Sequence, residues 1–203
     1  MPSLLLFILL AADAGAAPDA LADPGAIERA CKAACNYTAK HFAAGLIVAD
    51  VSEEVLPKTG QGAWKIFKTS KEMEGAGAEG APNTQARVWV APGGVTYVDM
   101  FFQSDSGDWA HFVDYCYRSD GTLARTESTY NTFLSEDQDG VSRVRKRDYD
   151  ATGKVLRSKQ RVLNLQTKKP APKARFPDEP EPLFPKLEEL PFWNVVREAL
   201  PRR

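Results

Sequence analysis

The sequence predicts an α+β fold: an N-terminal helix packed on a curved antiparallel β-meander able to wrap towards a half-barrel, then a Pro-rich tail with a short terminal helix. Three observations predict it. Small and apolar residues recur at helical spacing from Ile27 to Phe42, six β-type runs separated by turn residues follow from Arg87, and eight of the 14 prolines lie beyond Thr167. The 203 residues carry 26 Lys+Arg against 27 Asp+Glu. That balance leaves no surplus of positive charge for a phosphate backbone, which argues against nucleic acid as a partner.

Leu4 to Leu10 with Ala11 and Ala12 form an apolar run, far shorter than the ~20 residues of a membrane-spanning helix. Ala14-Gly15-Ala16 fits the small-x-small cleavage pattern that follows such a run in secretory signal peptides. Residues 1–16 are therefore read as a signal peptide, although Met-Pro-Ser at the start carries no Lys or Arg. The expectation is a secreted or periplasmic protein with no transmembrane anchor after cleavage, folded as one domain over 17–166 and ending in a tail over 167–203.

Asp23-Pro24 is a helix start, because an Asp side chain caps free amides and Pro is tolerated in the first turn. The spacing of Ile27, Ala30, Cys31, Ala34, Cys35, Thr38 and Phe42 predicts a helix over 24–44, stopped by Gly45. Short strands are expected over 46–51 and 63–68, and a loop over the Gly/Ala/Glu-rich residues 71–82. The meander then runs RVWVA, VTYVDMFFQ, WAHFVDYCYR, TLARTESTYNTF, VSRVRKRDY and KVLRSKQRVLNL. Loops ending in Gly94, Gly107, Gly121 and Gly153 read as three-residue hairpin turns with a bulge. They set Tyr117 opposite Leu123 and Tyr149 opposite Val155, an aromatic/aliphatic pair beside each turn. These two hairpins resemble the Tyr-Asp-x-x-Gly-Lys/Arg-Leu unit of bacterial YD-repeat proteins, but two diverged copies are too few to define that family. A helix held against such a sheet also resembles, in architecture alone, the periplasmic lipid- and lipoprotein-carrier half-barrels.

Chaining three-residue loops fixes which side chains share a face, because side chains alternate along a strand. One face collects Val88, Val90, Val98, Met100, Phe102, Ala110, Phe112, Cys116, Ala124 and Tyr130, the core that the helix is expected to cover. The other collects Trp89, Tyr97, Asp99, Phe101, Trp109, His111, Val113, Tyr115, Tyr117, Arg125 and Glu127. Of these, Trp89, Tyr97, Asp99, Phe101, Trp109, His111, Tyr115, Arg125 and Glu127 are the candidate ligand-binding residues, since ligand sites are largely apolar with a few placed polar groups. Ordinary packing is the competing reading of the same aromatic face.

In an oxidising compartment three cysteines predict a helix-to-sheet disulfide from Cys116 to Cys35 or, alternatively, Cys31. A Cys31–Cys35 bond is disfavoured because a regular helix holds the two Cβ atoms too far apart. His111 sits with Asp99 and Glu127 on the expected face, the orienting half of a hydrolytic triad, yet no G-x-S-x-G elbow supplies a nucleophile. His41, near the helix end, is read as a favourable partner of the C-terminal dipole. No metal or cofactor pattern occurs in the sequence. Arg143, Arg145, Arg147 and Arg157 are candidate anion ligands, because the expected register sets Arg147 opposite Arg157 and Arg145 opposite Lys159. Either the acidic residues Glu136, Asp137, Asp139, Asp178, Glu179 and Glu181 or an external anion must answer that charge.

The reading that follows is non-catalytic. It is a secreted or periplasmic protein binding an apolar small molecule or an envelope component through the aromatic sheet face. The alternatives are an interaction protein using the basic hairpin and the Phe192-Trp193 tail as a protein-docking segment, and a hydrolase using His111 with Asp99 or Glu127.

Overall fold

A computed structural model gives the architecture for residues 23–52, 62–76, 82–133, 140–172 and 182–200. The expected signal peptide and the acidic residues Glu136, Asp137, Asp139, Asp178, Glu179 and Glu181 lie outside the described residues. Helix α1 spans Pro24–Lys40. Its first amides are capped by Asp23, whose Oδ1 accepts from Gly25 N at 2.7 Å and Ala26 N at 3.1 Å. The helix ends four residues short of Ala44, and the chain tightens into a 3-10 turn over Phe42–Ala44. Gly45 then runs so close to the Trp89 indole that a Cβ there would lie 2.4 Å from the ring, so the glycine serves this approach as well as the helix stop.

The strands are β1 (Leu46–Asp50), β2 (Trp64–Phe67), β3 (Thr84–Val90), β4 (Thr96–Gln103), β5 (Trp109–Tyr117), β6 (Leu123–Thr132), β7 (Val141–Tyr149) and β8 (Val155–Asn164). They form one open antiparallel sheet in the order β2-β1-β3-β4-β5-β6-β7-β8. The six-strand meander is therefore present, extended at its β3 side by the two short strands. A one-turn helix, α2 (Ser70–Glu74), occupies the start of the segment expected to be a loop.

Two of the expected pairings, Tyr117 with Leu123 and Tyr149 with Val155, are formed. Each sits at a register shift, between Cys116 and Tyr117 and between Asp148 and Tyr149, which is the extra residue of a bulge. Beyond the bulge the pairing moves by one. Arg147 then faces Ser158, Arg145 faces Gln160, and Arg157 faces Asp148 instead of another arginine. The β4–β5 connection differs too. Gln103 pairs with Ala110 and Ser104 N donates to Trp109 O, so the turn carries four residues rather than three. A one-residue change inverts every side chain of the strand that follows.

The consequence is confined to β5 and one residue of β6. Trp109, His111, Val113, Tyr115 and Tyr117 share the face of Val88, Val98, Met100, Phe102 and Tyr130, while Phe112 and Cys116 join Trp89, Tyr97, Asp99 and Phe101. Ala124, inside the bulge, packs with Cys116. Past the bulge the two offsets cancel, so Arg125 and Glu127 remain beside Asp99 and Phe101 as expected.

The main core lies on the first of these faces and is covered by the C-terminal segment, not by the helix. Leu187, Leu190, Phe192 and Val196 pack there against Trp64, Val88, Tyr115 and Tyr117, and Trp193–Val196 form a single turn, α3. The segment is tied in by main-chain bonds from Leu123 N to Pro185 O and from Leu187 N to Gly121 O. The Tyr115 hydroxyl donates to Pro182 O and the Tyr117 hydroxyl to Phe184 O. Helix α1 covers the other face only at one end, where the small side chains Cys31 and Ala34 let it lie close to Trp89, Tyr97 and Ala124. A disulfide joins Cys31 to Cys116, while Cys35 is an exposed free thiol. The alternative partner thus makes the bond, because Cys31 shares the buried stripe of Ile27 and Ala34 and Cys35 does not.

Candidate functional site

The nine candidate ligand residues divide between the two faces. Trp109, His111 and Tyr115 are buried under the C-terminal segment or among core rings, His111 between Phe102 and Tyr130 with ring centroids at 6.2 and 5.3 Å. Tyr130 is the cross-strand partner of His111. His111 and the carboxylates of Asp99 and Glu127 stand on opposite faces, so the expected acid/base cluster does not assemble. Trp89 is also withdrawn from the surface: it is buried and its indole Nε1 donates to His41 O at 3.1 Å, pinning the end of α1. His41 stacks on Tyr37, with centroids 4.3 Å apart.

Tyr97, Asp99, Phe101, Arg125 and Glu127 stay together on the helix-side face, and the inversion of β5 adds Phe112. Phe101 and Phe112 are direct cross-strand partners with ring centroids 4.9 Å apart. Phe112 is 44% exposed. The 3-10 turn after α1 places Phe42, 58% exposed, on the same groove, with the Arg87 guanidinium 3.7 Å from its ring centroid. Arg87 is held there by a bond to Ser70 Oγ at the start of α2. Phe42, Phe101 and Phe112 thus share a groove of about 390 Å³ with Asp99, Arg87 and Met73. Sequence reasoning missed Phe42 and Phe112; the exposed end of the helical stripe was the available signal for the first, and the turn length concealed the second.

A row of carboxylates separates this groove from a cleft under α1. Asp99 pairs with Asp114 across β4 and β5, and Asp114 with Glu127 across β5 and β6. Burial, reinforced by the charge of Asp99, raises the Asp114 carboxyl to about 7, against the pull of a hydrogen bond from the Tyr97 hydroxyl. Desolvation by the surrounding protein also raises the carboxyl of Asp99, which still reaches solvent, with Arg87 opposing. The cleft, about 310 Å³, is lined by Tyr97, Asp114, Cys35, Lys32, Glu127 and the disulfide. Burial and the neighbouring Asp114 charge push the Tyr97 hydroxyl up, and it also hydrogen bonds with the Cys35 thiol.

Arg125 serves structure. Its Nε and that of Arg157 bind the two oxygens of the fully buried Asp148 at 2.6 and 2.7 Å, and Glu28 of α1 accepts from Arg125, Arg157 and Lys146 at 2.8, 3.0 and 3.2 Å. Glu127 accepts from Lys146 at 2.7 Å. Partial burial works against the Glu28 charge, but hydrogen bonds from Arg125 and Lys146 outweigh it and hold the carboxyl at about 2. The four candidate anion ligands do not converge: Arg157 is in this network, while Arg143, Arg145 and Arg147 lie on the opposite face of β7. There Arg143 stands over the Tyr130 ring at 5.5 Å and Arg145 donates to Gln160. Asp148 and Glu28, which answer the charges of Arg125 and Arg157, are carboxylates that the sequence pattern did not single out.

A third cavity, of about 530 Å³, opens between the Asp120–Thr122 turn and the C-terminal segment, lined by Val90, Leu187, Trp193, Leu200, Lys186 and Arg197. Among the described residues no group of three His, Cys, Asp or Glu side chains could hold a metal ion, and no helix is long and apolar enough to cross a membrane. No protein-family model, curated protein or solved structure matches the chain.

Proposed function

We propose that this is an exported, non-catalytic binding protein that takes an apolar ligand, or an apolar group of an envelope partner, on the helix-side face of its sheet. The carrying observation is the Phe101–Phe112 ring pair, left open beside Phe42 while the other face is covered by a segment of the same chain. Ring pairs of this kind supply contact area with little rotamer entropy to lose. A meander curled towards a half-barrel belongs to the same reading. Export accords with the apolar N-terminus and with the Cys31–Cys116 bond, which an oxidising compartment maintains.

The test is binding of the neutral fluorophore N-phenyl-1-naphthylamine to the wild-type protein and to Phe101→Ser/Phe112→Ser. Saturable fluorescence enhancement that the double variant loses, with unchanged circular dichroism, supports the reading. Equal enhancement in both proteins, or none in either, overturns it.

A further inference from the structure

We propose that the occupant of the helix-side groove carries a positive charge next to its apolar part, a cationic amphiphile of the long-chain amine type. The inference rests on the binding reading above and specifies its ligand.

Asp99, Asp114 and Glu127 stand directly opposite one another on three adjacent strands. Like charges in direct cross-strand contact destabilise a sheet, so such a row calls for positive charge between or beside its members. Among the described residues ion pairs supply it at one end only, while at the other Arg87 acts on Asp99 without pairing with it. Lys146 and Arg125 approach Glu127 at 2.7 and 3.6 Å. Arg87, the cross-strand partner of Asp99, is turned to the Phe42 ring and Ser70. Among the described residues no Lys or Arg nitrogen forms an ion pair with Asp99 or Asp114. The two carboxylates therefore stand next to Phe101 and Phe112, two residues away on the same two strands and one step along the same face. Asp99 itself lines the groove with both rings. A ligand cation placed at this pair relieves the repulsion while its apolar body covers the rings.

Burial first, and then the charge of Asp99, raise the Asp114 carboxyl to about 7. The groups facing it are Asp99 and Tyr97 from β4 and Glu127 from β6, with Lys32, Cys35 and Glu28 of α1, Arg125 of β6 and Lys146 of β7 around the same cleft and Arg87 beyond Asp99 on β3. A proton on Asp114 removes one of the two charges, so preference for a cation falls as the pH drops through about 7.

The experiment compares octylammonium, octanol and octanoate by calorimetric and NMR titration at pH 8, with wild-type protein and Asp99→Asn/Asp114→Asn. Octylammonium should bind about ten-fold more tightly than octanol, as a charge-assisted contact gives, and octanoate should be the weakest. In the double variant octylammonium should bind no more tightly than octanol, and the variant should melt no lower than wild type at pH 8. At pH 5 the wild-type preference should shrink. Octanol binding as tightly as octylammonium, or a preference unchanged in the double variant, overturns the charge inference while the apolar-face reading stands. Binding of none of the three overturns both. Should the double variant fail to fold, Asp99→Asn alone makes the same comparison, since Asp99 is exposed.

Discussion

The ion network joining α1 to β6, β7 and β8 gives the sharpest energetic prediction. Asp148 is fully buried and both of its oxygens accept guanidinium hydrogens, from Arg125 at 2.6 Å and Arg157 at 2.7 Å. In Asp148→Ala the Arg125 side chain, 3% exposed, keeps Glu28 but loses its buried partner. Stranding one member of a buried pair costs about 3–5 kcal/mol. Arg157, 32% exposed, recovers water on that loss, which sets the expectation towards the lower end, about 3 kcal/mol. Asp148→Asn keeps the shape and one acceptor but not the charge, and should lose roughly half as much. The assay is urea denaturation at pH 7, read as midpoint and slope, with a slope unchanged from wild type showing that the folded and unfolded states remain comparable. Arg125→Met/Asp148→Leu, an apolar replacement of the pair, should recover most of the loss. A cost below about 1 kcal/mol for Asp148→Ala would refute the reasoning, since that is the range of exposed pairs.

Phe192→Ala should destabilise by about 3–5 kcal/mol, because a fully buried ring between the sheet and the C-terminal segment is replaced by a cavity; an unchanged denaturation midpoint would mean that the segment does not close the core. Cys31→Ser should lower stability by about 4 kcal/mol, from the long loop, 85 residues apart in sequence, that its bond to Cys116 closes. Native-state alkylation followed by peptide mapping should label Cys35 alone, and labelling at Cys31 or Cys116 would contradict the pairing. Glu28 is held low by its cationic partners. Its contribution to stability is therefore full above the unfolded carboxyl value of 4.5 and is lost as pH falls towards about 2. Glu28→Gln should flatten that acid limb of the stability curve, and an unchanged limb would place the acid sensitivity elsewhere.

Much of the fold was legible in the sequence because its signals are local. Asp23-Pro24 and the Ile27–Thr38 stripe give α1, and the Gly-ended turns give the meander with its two Tyr pairs. What was hidden depends on parity. A turn of four residues in place of three after Gln103 inverted β5, which exchanged Phe112 for Tyr115 on the candidate face, and no residue of Asp105-Ser106-Gly107-Asp108 distinguishes the two lengths. The bulge before Tyr149 likewise turned an expected Arg–Arg contact into Arg157–Asp148. The choice of face by helix and tail was also beyond the pattern, since it rests on volume: Cys31 and Ala34 fit over Trp89, whereas Leu187, Leu190 and Phe192 fill the larger space. Of the candidate residues, Tyr97, Asp99, Phe101 and Glu127 share one face as the alternation predicts, while the link between Arg125 and Glu28 joins residues too distant in the chain for any local pattern to reveal.

The central claim is that the open helix-side face is where the protein binds. The most direct measurement is chemical-shift mapping of a 15N-labelled sample titrated with N-phenyl-1-naphthylamine. Perturbations should centre on Phe101, Phe112 and Phe42 and their neighbours on β3 to β5. Perturbations centred instead on Leu187, Trp193 and Leu200, at the cavity under the C-terminal segment, would contradict it.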